Sequence, residues 1–240
     1  MSSARSPLWE LWDHYRRHQR VPTEWVARFS AAGNLDEAIE KAWATDSDPL
    51  VMARLACRFT DRRGLARAAA DIARLLLPYV KTKKKRAMQE KALDFLQTWG
   101  EKPETREPKL GWNALADSVA PEDDKEDLAT FAAVTISNAL AIPEHPLSLR
   151  SLILGVHDRT AQSIVETEEG GRNRTELEID EIDGRAQEMM NPMMVELLRK
   201  RIRAPNGDAL VEALRDDREH EYDQALARNS QAQLAAFRPR

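Results

Sequence analysis

Few side chains in this sequence are spaced for chemistry. His14 and His18 stand four apart, which on a helix puts two imidazoles on one face, a spacing zinc accepts. A zinc site needs a third ligand, Asp13 is poorly placed to supply it, and nearby arginines repel a cation, so a solvated polar face is the simpler reading. Cys57 is the single cysteine, so no intramolecular disulfide can form. It lies inside an apolar stretch, where a thiol without a stabilising cation stays protonated and packs as core. His157-Asp158-Arg159 has the residue types of a catalytic group, but adjacent helix residues fan about 100° apart and do not converge. His145 falls in a proline-flanked turn and reads as a surface residue. No nucleophile elbow, P-loop, H-E-x-x-H or G-x-G-x-x-G is present. The sequence therefore reads as that of a non-enzyme, with no metal and no cofactor expected.

Charge is more informative. Between Glu166 and Gly184 the chain carries Glu166, Glu168, Glu169, Glu176, Glu178, Asp180, Glu181 and Asp183 against Arg172 and Arg174, with Arg185 just beyond. Charge of one sign steers a basic partner and speeds its association, so these eight are the candidate partner-binding residues; the plainer alternative is an acidic solvated loop. Their spacing does not match the calcium-loop pattern. Lys81 to Arg86 is the one basic run, which could neutralise phosphates, but it has no interleaved aromatics for base stacking. A solvated loop at a helix end, where the backbone dipole favours cations, explains it as well. Met189, Met190, Met193 and Met194 form either an adaptable contact surface or part of the core beneath the last helix. Net charge is −4 and pI about 5.8, against the basic excess of a dedicated nucleic-acid binder.

The elements that would position these residues read as helices. The 240 residues are 42% hydrophobic and 32% charged, with only 9 glycines, a mix that favours helix over strand. Helical spacing places Leu8, Leu11, Trp12 and Tyr15 on one face, then Trp25, Val26 and Phe29, then Leu35, Ala38, Ile39, Ala42 and Trp43. Asp48-Pro49 starts a helix over Leu50–Phe59 that is apolar nearly all round and is expected to be central. Thr60-Asp61 caps the next, with Leu65, Ala69, Ile72, Leu76 and Tyr79 inward and Pro78 ending it. After the basic run, Met88, Ala92, Phe95, Leu96 and Trp99 share a face until Gly100 stops the helix. Residues 101–111, charged and with two prolines, read as a linker. Helices over about 112–119, 128–142 and 149–168 follow, then the acidic loop near 166–184, two short helices meeting at Asn191-Pro192, and a charged last helix from Asp208. The N-terminal stretch lacks the apolar run of a secretory signal and no apolar run in the chain reaches the length of a membrane span, so a cytoplasmic protein with no membrane contact is expected.

One stretch resembles a known family. Asn34 to Lys102 has an acidic, Ala-containing segment ending in Ala42-Trp43, then Asp48-Pro49 and an apolar helix around Met52, Leu55 and Ala56. Asp61-Arg62-Arg63 opens an Ala-rich helix ending in Leu77-Pro78-Tyr79-Val80, and a last helix closes on Trp99-Gly100-Glu101. In that order these features resemble an immunity protein family of bacterial polymorphic toxin systems, over a little over a quarter of the chain. The resemblance implies a helical protein that neutralises a cognate toxin by occluding it, and it brings no catalytic residues. The whole reads as an all-α protein, a multi-helix bundle of antiparallel helices: a helical core over 7–100, the linker, and a second helical layer over 112–237. The alternatives are a helical adaptor or regulatory subunit using the methionines or the last helix, and a nucleic-acid-associated protein using Lys81–Arg86.

Overall fold

The computed structural model of the chain describes residues 40–41, 43–121, 127–146, 148–167 and 176–204. Asp48 starts the first complete helix, α1 (Pro49–Phe59). Its carboxylate accepts the N–H groups of Leu50 at 2.8 Å and Val51 at 3.4 Å, and Pro49 sits in the first turn, where no N–H is needed. Asp61 does the same for α2 (Arg62–Arg74), accepting from Gly64 at 2.6 Å. Pro78 cannot continue that helix, and the chain leaves α2 through a turn and a short 3-10 segment, Leu77–Tyr79. Then come α3 (Lys83–Glu101), α4 (Gly111–Val119), α5 (Leu128–Ala139), α6 (Ser148–Thr167) and α7 (Glu176–Arg201). No strand occurs among the described residues, and the helices pack on one another as an all-α bundle.

Among the described residues α2 and α6 each pack on four other helices, and Met52, Ala53 and Ala56 of the apolar α1 are fully buried. α2 packs against α3, α5, α6 and α7, and Leu65, Ala66, Ala68, Ala69, Ala70, Ile72 and Ala73 are all buried. Alanines on several sides let neighbouring helices approach closely, which a ring of leucines would prevent. α1 instead meets α6 and α7 and leaves Leu50, Val51 and Cys57 half-buried. Gly100 is a point of close approach between α2 and α3. A Cβ there would lie 2.6 Å from Arg67 Cγ and 2.8 Å from the Arg63 carbonyl oxygen. The glycine expected to stop the helix therefore lies inside it, and α3 continues to Glu101. Met88, expected inward, is exposed; Gln89 is buried in its stead and donates its amide to the carbonyls of Ala133 at 2.9 Å and Val119 at 3.3 Å.

The expected linker is a pinned crossing. The Arg63 guanidinium lies 4.5 Å over the Trp99 ring and donates to the carbonyls of Trp99, Lys102, Pro103 and Thr105. Arg62 pairs with Glu107 at 3.4 Å and donates to the Pro143 carbonyl. The start of α4 is capped from a distance: Glu144 accepts from the Trp112 N–H at 2.8 Å and from the Asn113 amide at 2.5 Å. Trp112 stands edge-on to Trp99 at 5.0 Å, so one apolar cluster spans both sides of 101–111, from Trp43 to Ile202. The expected helices with Leu8, Trp12, Trp25 and Phe29 and the one from Asp208 lie outside the described residues.

Candidate functional site

The helix that carries most of the candidate residues, α7, is built differently at its two ends. Ile182 and Ala186, four apart, pack with Ala161, Ile164 and Val165 of α6 in a small cluster of their own. Beyond Pro192, the buried residues Met194, Val195, Leu198 and Ile202 join the main core, where α7 meets α1 and α2. Two expectations are corrected here. Residues 176–184 are the first turns of a helix, because the Ile182–Ala186 stripe gives that end a packing partner. Asn191-Pro192 is not a break, because buried Met190, Met194 and Val195 clamp both sides of the proline. The last turn is bolted down by Arg201, which donates to Asp71 of α2 at 2.6 Å and Glu101 of α3 at 3.1 Å. The Asp71 hydrogen bond holds the Arg201 guanidinium above its ordinary pKa. The Gln97 amide first, then Arg201, holds the Glu101 carboxyl below the usual range.

The eight acidic candidates separate. Glu166 is exposed on the last turn of α6, while Glu168 and Glu169 lie outside the described residues. Glu176 is the first residue of α7, and Glu178 is half-buried. Asp180, Glu181 and Asp183 are exposed and form no ion pair among the described residues. Asp180 and Asp183, three apart, share a face, and Glu181 shares the adjoining one with Glu188 seven residues on. The described part of the candidate surface on α7 is thus an acidic ridge along its first turns. The methionines divide by the same rule: Met190 and Met194 are buried, while Met189 and Met193 are 55% and 46% exposed.

Beside this ridge is a cleft of about 400 Å³ that the sequence did not announce. One wall is residues 44–47, the other is Glu188, Asn191, Pro192, Val195 and Arg199 of α7. Arg199 holds the walls together by donating to the carbonyls of Trp43 at 2.9 Å and Asp46 at 2.5 Å. The walls are well over a hundred residues apart in sequence, so only the exceptional Pro192 could have hinted at them.

The other candidates resolve into structure. His157 is buried with its Nε2 2.8 Å from Asn191 Oδ1, whereas Asp158 and Arg159 meet at 3.8 Å and Arg159 lies over the Phe131 ring. Cys57 donates its thiol to the Pro146 carbonyl at 3.0 Å. Lys83 to Arg86 form the first turn of α3 rather than a loop at a helix C-terminus, so the dipole opposes those cations. Arg86 turns back to the Val80 carbonyl at 2.7 Å, while Lys83 and Lys84 are exposed. His14 and His18 lie outside the described residues. Among the described residues no helix is long and apolar enough to cross a membrane, and no cluster of potential metal ligands occurs. Comparison with protein-family models, curated proteins and solved structures finds no match to this chain.

Proposed function

We propose that this chain is a non-enzymatic binding protein of the cytoplasm, an immunity protein that neutralises a cognate bacterial toxin by occluding it. One observation carries the reading: Asp180, Glu181 and Asp183 project from a braced helix, exposed and with no ion pair among the described residues. Fixed charges of one sign attract a basic partner and lose little entropy when it docks. The resemblance over Asn34–Lys102 supplies the partner class. In this reading that segment is scaffold: Trp43, Trp99 and the α2 alanines are core, and α2 and α3 hold α7 through Asp71, Glu101 and Arg201.

The test is co-expression with the product of a neighbouring gene. This chain restores growth when that product is toxic, and the variant D180N/E181Q/D183N restores it less well. A toxic neighbour whose effect is the same with and without this chain overturns the proposal. A second reading, a helical adaptor in a larger assembly, is favoured by exposed Met189 and Met193, since such methionines adapt to varied partners. It predicts a stable complex with a harmless partner, and loss of that complex in M189S/M193S.

A further inference from the structure

We draw no further inference here: the strongest candidate, the exposed apolar face of α7 at Met189 and Met193, carries none because nothing in the structure shows what covers it.

Discussion

Gly100→Ala and Gly184→Ala make the same chemical change in two helices and should move stability in opposite directions. Each gains about 1 kcal/mol from replacing a helical glycine. At Gly184 nothing opposes the gain, because the new methyl meets no atom within 4 Å. At Gly100 the methyl arrives 2.6 Å from Arg67 Cγ and 2.8 Å from the Arg63 carbonyl oxygen. The arginine carbon can yield; the carbonyl belongs to the backbone of α2 and moves only with the helix. Overpacking of this kind costs about 1–3 kcal/mol. Because α2 contacts four other helices, relief is limited and the upper part of that range applies. The net is a loss of about 1–2 kcal/mol for Gly100→Ala and a gain of up to about 1 kcal/mol for Gly184→Ala. At this chain length that is a fall of very roughly 2–8 °C in one melting temperature and a rise of about 2–4 °C in the other. Thermal unfolding followed by far-ultraviolet circular dichroism reads both. A Gly100→Ala protein as stable as its parent would refute the close α2–α3 contact, whatever Gly184→Ala does.

Other outcomes follow from named contacts. Arg63→Ala strips four carbonyls and the Trp99 ring of their cation, so it should cost about 2–4 kcal/mol and make residues 102–105 an early site of limited proteolysis. Asp61→Ala removes the cap of α2 and should cost about 1 kcal/mol by urea titration, with Asp61→Asn largely restoring it. Glu101 has its carboxyl pKa lowered by Gln97 and Arg201, so its contribution is complete above the unfolded-state pKa and fades as pH falls through the folded-state one. Glu101→Gln should therefore lower stability at neutral pH and narrow its gap to the parent under acid. An acid-side gap equal to the neutral one contradicts the assignment. The effect is small, because the carboxylate is largely exposed and water screens it.

What was legible in the sequence was legible for local reasons. Asp48-Pro49 and Asp61 signal helix starts through their own side chains, and both cap as read. Trp43 and Trp99 fall on apolar stripes and are buried. The misreadings concern contacts between distant residues. Periodicity did not show that the small side chains of α2 would bring four other helices against it. Gly100 looked like a stop because its true neighbours, Arg63 and Arg67, are over thirty residues away. Residues 101–111 have a linker's composition and are largely exposed, and Arg62 and Arg63 tie them to the bundle, which composition could not show. Residues 176–184 looked like loop because the Ile182–Ala186 stripe is thin and Gly184 interrupts it; α6 supplies what the stripe lacks. Pro192 argued for a break that burial on both sides overrides. The acidic surface was therefore found by charge but assigned the wrong backbone, and the cleft beside it was out of reach of any local pattern.

The claim that the α7 ridge is the partner-binding surface is tested most directly by the affinity of the purified neighbouring gene product for the parent chain and for D180N/E181Q/D183N, at low and high salt. The account predicts a complex whose affinity falls with salt, weakened about tenfold or more in the variant chiefly through slower association, with a shallower salt dependence. Equal affinities and equal salt dependence for the two proteins would contradict it.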